Sequence, residues 1–219
     1  MPRQICLIIT LLVLFALPAQ AQMVNAKELG AEFSPSQSIG TVVKVKGDAV
    51  ANGVANGMRM LQGGEEISSD DLLVTFHDSR LEVKLKDGTS FVMGQLGRFI
   101  VEDFRYAPGQ GGNKAAFNFL QGVFKMTAGA ISQEDKTAFA VRTPVATIGI
   151  RGTEFWGGEI DGSFSVLVLK GRVMVENAAG SVEVPEGQGV SIPKDGAPLP
   201  PSVWQEEKRY RAFATVAFE

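Results

Sequence analysis

A chain of 219 residues with 21 Lys and Arg against 24 Asp and Glu carries a formal charge of −3, and this weakly acidic balance, with no basic cluster, excludes nucleic acid and anionic lipid as electrostatic partners. The single cysteine, Cys6, falls in an apolar N-terminal run, so the rest of the chain has no disulfide framework, thiol catalysis or thiolate metal site. Stability must come from a buried core, which a chain of this length can build as one domain or two small ones.

Arg3 precedes an apolar run from Ile5 to Leu17, followed by Pro18-Ala19-Gln20-Ala21. A basic start, a hydrophobic stretch and a small-x-small end form the pattern of a secretory signal peptide. The run is about 13 residues, shorter than the roughly 20 that a spanning helix needs. Residues 1–21 are therefore expected to be a cleaved signal, with cleavage after Ala21 and no transmembrane segment in the remaining chain. Residues 22–38, mixed and polar with Ser34-Pro35-Ser36, read as a leader arm.

From Ile39 the texture becomes that of short strands, and an all-β region is expected over residues 39–193. Asn52-Gly53 and Asn56-Gly57 mark tight turns, because both residue types accept positive φ. Arg80 to Lys86 alternates strictly, with Leu81, Val83 and Leu85 opposite Arg80, Glu82, Lys84 and Lys86, the period of a half-buried strand. Lys86-Asp87-Gly88-Thr89 then turns the chain into Phe91-Val92-Met93. Pro108 to Lys114 reads as a long hairpin tip, since strand texture resumes at Phe117, and Ile131 to Lys136 reads as a polar turn. Thr41 to Gly47 is echoed by Ser165 to Gly171, and each is followed by a further glycine turn, at Gly64 and Gly187; a shared unit at both ends of the β region would fit a wrapped or solenoid-like sheet. Lys194 to Pro201 is a proline-rich terminator. Val203 to Phe218 lacks Gly and Pro and spaces Tyr210, Phe213, Ala214 and Ala217 as a short amphipathic helix, so residues 194–219 are expected to be a linker and a helix packed on the β body.

Few residues suggest chemistry. His77, the lone histidine, sits in Thr75-Phe76-His77-Asp78-Ser79, a strand end and turn, and no glycine-flanked serine elbow accompanies it. Glu65-Glu66, Asp70-Asp71 and Glu102-Asp103 are scattered turn charges without the alternating acidic loop of a calcium hand. Gly109-Gln110-Gly111-Gly112 lacks the helix and lysine of a phosphate cradle. No catalytic residue, metal ligand or cofactor is expected.

The densest stretch is Val141 to Trp156, which combines β-branched residues with one proline, two glycines and two arginines, and reads as a sharp corner between buried strands. Pro144 restricts Thr143 to extended geometry at a strand start or edge. Gly149 and Gly152 would allow positive φ or a close backbone approach. Arg151, between them, is expected to be an internal clamp with a partly buried guanidinium held by Glu154 or Asp161; the alternative is a surface recognition arginine.

Thr143-Pro144-Val145-Ala146-Thr147-Ile148-Gly149-Ile150-Arg151-Gly152-Thr153-Glu154-Phe155, followed by Val166 to Val173 with Gly171, resembles the FecR-domain family of bacterial envelope proteins over about residues 71–176. The resemblance implies an all-β, wrapped or solenoid-like antiparallel module of many short strands in the periplasm. It also implies protein–protein interaction and, in the signalling members, transmembrane regulation of a sigma factor. Those members place a cytoplasmic segment and a transmembrane helix ahead of the domain, whereas this chain starts with a signal-like segment. The family positions Thr143, Pro144, Gly149, Arg151, Gly152, Thr153, Phe155 and Gly171 are expected to be structural. The expected role is a non-enzymatic periplasmic module for binding, scaffolding or envelope signalling, with an envelope protein or surface polymer as partner. The alternatives are a polysaccharide-binding or small-ligand sensor protein and a carboxylate-based glycan enzyme.

Overall fold

A computed structural model describes residues 37–54, 56–134 and 138–219. The expected signal and Cys6 lie outside these residues, as does the leader arm up to residue 36. The described residues belong to one unit, Ser34–Glu219. In chain order its elements are β1 (Ser38–Lys46), β2 (Ala49–Gly53), β3 (Gly57–Met60), β4 (Glu66–Ser68), β5 (Leu72–Thr75), β6 (Arg80–Leu85), β7 (Ser90–Met93), β8 (Arg98–Arg105), β9 (Lys114–Gln121) and β10 (Val123–Thr127). The helical turn α1 (Ile131–Glu134) comes next, then β11 (Phe139–Arg142), β12 (Thr147–Ile160), β13 (Ser163–Asn177), β14 (Gly180–Pro185), β15 (Gln188–Ile192), β16 (Ser202–Val203) and α2 (Glu206–Ala214).

The strands form one all-β sheet whose main path, β3-β2-β5-β8-β9-β11-β12-β10-β7-β6-β1-β4, curls into an open half-barrel. The path folds over at its middle, where β12 joins its two halves and β13 backs β12. Residues 147–149 of β12 pair with β11 and residues 154–158 with β10, while β13 runs beside nearly the whole of β12. Two layers result. The first holds β1, β6, β7, β10 and the second part of β12; the other holds β2, β5, β8, β9, β11 and the first part of β12. Phenylalanines join the layers: Phe91 of β7 and Phe99 of β8 have ring centroids 4.5 Å apart, and Phe119 of β9 and Phe124 of β10 lie at 4.3 Å. Both pairs are separated along the sheet path, so their contact is the fold-over itself.

The echo noted in the sequence is realised as topology. At one end β1 passes Gly47 into β2, β2 pairs with β3, and β4 returns on β1. At the other, residues 163–170 of β13 pass Gly171 into residues 172–177, which pair with β14, and β15 returns on the first part of β13.

Three details differ from the sequence reading. Residues 131–134 are a helical turn rather than a polar turn, because Ile131 is fully buried and Ser132 Oγ donates to Gly129 O at 2.7 Å. One strand pair, β9 with β11, is parallel; β10 and α1 supply the long crossover that such a pair requires. The sheet also gains β16 beyond the proline-rich stretch, so the helix starts at Glu206. No helix among the described residues is long and apolar enough to cross a membrane.

Candidate functional site on the open face of the sheet

Thr143 closes the turn between β11 and β12. Its N–H donates to Ala146 O at 2.9 Å, and its Oγ1 lies 2.8 Å from the same carbonyl and accepts from Ala146 N at 3.1 Å. Pro144 is exposed in this turn, where its missing N–H costs nothing. The pairing of β12 with β13 slips between Arg151 and Glu154, a bulge that bends both strands. Gly152 takes φ +57° there and Gly171 takes φ +82° on the facing strand. A Cβ on Gly171 would sit 2.9 Å from Gly152 O, so the corner needs glycine for space as well as for conformation. Buried Thr153 places its Oγ1 2.7 Å from Arg172 O and 2.9 Å from Arg151 O. Phe155 is fully buried edge-on to Phe124 at 5.5 Å.

Gly149 and Arg151 are different. Gly149 has no positive φ, and a Cβ there would meet only ordinary contacts with Met174 at 3.8 Å. The expectation of a partly buried Arg151 is overturned: the residue is exposed, and no described side chain or carbonyl pairs with its guanidinium. The two candidate partners are taken, Glu154 by Lys125 at 2.6 Å and Asp161 by Lys208 at 3.2 Å and Arg211 at 2.7 Å. The bulge is the cause. Ile148 and Ile150 point inward, the extra residue reverses the alternation so that Thr153 and Phe155 do so next, and Arg151 and Gly152 both face water.

Arg151 stands directly across the ladder from Arg172. Like charges in that position destabilise a sheet, and only Arg172 has a local counter-charge, Glu183 at 3.4 Å. Gly149, Ile150, Gly171, Val173, Met174 and Glu183 line a shallow cleft of about 560 Å³ with the two arginines. The same outer face continues across the layer. Arg142 pairs with Glu102, and beyond them β8, β5, β2 and β3 turn apolar side chains outward: Ile100, Leu72, Val74, Val50, Met58 and Met60.

The opposite outer face is covered. Trp204 and α2 pack on Trp156, Ile160 and Leu167, with Val92, Val123 and Leu169 at the margin. Trp156 Nε1 donates to Thr215 Oγ1 at 3.1 Å, and Lys208 lies over the Trp204 ring at 4.3 Å. Hydrogen bonds from Arg211 and then Lys208 hold the Asp161 carboxyl below its ordinary value. A lowered carboxylate pKa contributes stability that is present above the unfolded value, about 3.9, and is lost as pH falls through the folded one. Tryptophan emission should therefore report loosening of α2 below about pH 4, and Asp161→Asn should abolish that step and show the low-pH emission already at neutral pH.

The other residues considered for chemistry do not converge. His77 is exposed at the β5–β6 corner. Asp71 is fully buried and bonded to Arg59, whereas Asp103 is bonded to Arg105 and Lys114. Among the described residues no group of three or more His, Cys, Asp or Glu is placed to hold a metal ion. The pairing of Trp156 with Trp204 was missed by sequence reasoning; Trp156 stood at the end of the motif, and nothing local linked it to a tryptophan 48 positions on.

The family model described as FecR protein matches residues 71–174. No curated protein matches. Two crystal structures of a candidate anti-sigma factor from Parabacteroides distasonis ATCC 8503, at 1.65 and 2.50 Å resolution, are similar in fold, each with a TM-score of 0.50 and 18% sequence identity over 64% of this chain and 62% of that one. This chain thus spans less than two thirds of the length of the solved protein. At that identity the likeness concerns the fold. Together with the bent β12–β13 pair carrying Gly152, Thr153 and Gly171, the match identifies residues 71–174 as a FecR domain.

Proposed function

We propose that this chain is a non-enzymatic protein–protein interaction module of the bacterial envelope, exported to the periplasm and acting in signalling or scaffolding. The FecR domain and the anti-sigma fold neighbours support a signalling-related role. The signal-like segment formed by Arg3, Ile5–Leu17 and Ala19–Ala21 supports export. The observation that carries the reading is the exposed, unpaired Arg151 on an uncovered sheet face. Thr143, Gly152, Thr153, Phe155 and Gly171 each serve the corner, while Arg151 serves no internal contact and stands opposite a like charge. An arginine so placed is suited to a carboxylate on a partner protein.

The test is in-cell photo-crosslinking from position 174, which lines the cleft beside Arg151, with and without Arg151→Glu. A discrete adduct that disappears in the variant is expected. The melting temperature of Arg151→Ala should stay within about 2 °C of the parent, the scale of a surface change in a chain this size. An adduct indifferent to the charge reversal would sink the proposal, and a large loss of stability would restore the clamp.

A further inference from the structure

The apolar half of this open face has no place in the Arg151 contact. Met58 and Met60 on the edge strand β3 are 77% and 55% exposed, and at the adjoining corners Phe76, Leu96 and Leu120 are 46%, 39% and 40% exposed. Registers place the rows side by side: Met60 opposite Val50 and Val50 opposite Val74, with Leu72 opposite Ile100 one row away. These side chains form one connected surface, whereas isolated apolar residues scattered over a protein need no explanation.

Leu96 supplies a second, independent observation. Among the described residues four non-glycine positions have positive φ: Asp70, Asp78, Asp161 and Leu96, the last at +55°. Aspartate tolerates that region because its short polar side chain bonds locally, and leucine does not. Leu96 is not part of the buried core and stays 39% exposed. Backbone strain of this kind persists at binding surfaces.

We infer that this face pairs two copies of the chain, with the β3–β2–β5–β8 surface and the Leu96 and Leu120 corners packed against their own equivalents. Composition favours a second copy over an unlike partner. The charged side chains on the outward face of these strands are Arg98 and, at the margin, Glu102 paired with Arg142; homodimer interfaces are the ones most depleted of charge, while unlike partners meet through surfaces of average polarity. A two-fold arrangement also covers β3, whose apolar, unpaired edge would otherwise invite open-ended association. The size suits a weak pairing: about five strands, β9 included through Leu120, spaced by about 4.8 Å, with rows about 6.8 Å apart along them, give a flat footprint of roughly 400 Å² per copy before side-chain relief is counted. Two such faces bury roughly 800 Å², in the range of weak, transient association. The pairing should therefore be concentration-dependent, and it stands apart from the signalling reading because it needs no other protein.

The experiment is sedimentation equilibrium on the purified protein from about 1 to 200 µM, a range chosen for an interface of this size. A monomer–dimer equilibrium is expected, weakened at least tenfold by Met60→Glu and by Leu96→Gly. Leu96→Gly should also raise the melting temperature, because glycine accepts the positive φ; a variant that is both more heat-stable and less dimeric cannot be explained by misfolding. Arg151→Glu should leave the dimer unchanged, so failure of the partner contact and failure of the dimer are read separately. A protein monomeric throughout the range, or a dimer that Met60→Glu and Leu96→Gly leave at full strength, would overturn the inference.

Discussion

Gly171→Ala is expected to cost about 2–4 kcal/mol, the sum of a left-handed conformation forced on a residue with a Cβ and the overpacking of a tight corner. The methyl group would lie 2.9 Å from Gly152 O and 3.2 Å from Thr153 Oγ1. Neither atom can yield: the first is backbone, and the second is held by the carbonyls of Arg151 and Arg172. In a chain of this length such a loss lowers the melting temperature by roughly 5–15 °C. Gly149→Ala, two positions before Arg151, is the control and should change stability by less than about 0.5 kcal/mol, because its Cβ meets nothing closer than 3.8 Å. Urea denaturation of both variants checks the pair. Equal costs would show that the bulge is not what fixes the bend of β12 and β13.

Asp71→Ala should be about as damaging, near 3 kcal/mol, the lower end for breaking a buried ion pair. Its carboxylate is fully buried and accepts from Arg59 at 3.0 and 2.5 Å and from Ser68 N at 2.8 Å. Removal strands two sets of donors in low dielectric. The cost sits at the lower end because the Arg59 side chain keeps 21% exposure and can recover some water. Arg59 is also the residue between Met58 and Met60, so the pair fastens the edge strand that presents those methionines. Thermal unfolding followed by circular dichroism gives the stability loss. A change under about 1 kcal/mol would mean that β3 is held by its ladder to β2 alone, since a lost intramolecular hydrogen bond is worth about that much.

Much of the fold is legible in the chain. The alternation of Arg80 to Leu85 is β6, with Leu81, Val83 and Leu85 buried, because a strand with water on one side has to place its apolar residues at every second position. The β8–β9 hairpin around Pro108 to Asn113 and the C-terminal helix were likewise visible as punctuation and helical spacing. The stretch from Thr143 to Phe155, with Gly171, was specific enough to point to the family, because a bulged corner with no room for a Cβ demands glycine at fixed places.

The direction in which Arg151 points was not legible. A bulge inserts one residue and reverses which side chains face the core beyond it, and its position is set by the pairing with β13 rather than by β12 itself. Residues 151 and 152 therefore fall on the same side, outward, where strict alternation would have divided them. The same holds for Trp156, which faces away from the phenylalanine core and is nonetheless buried because α2 and Trp204, far along the chain, cover it. By itself the sequence determined the strands, the glycine corner and the family, since these depend on local conformation and period. Tertiary structure decided which face is covered and which is open, because that depends on a helix and a register contributed from elsewhere in the chain.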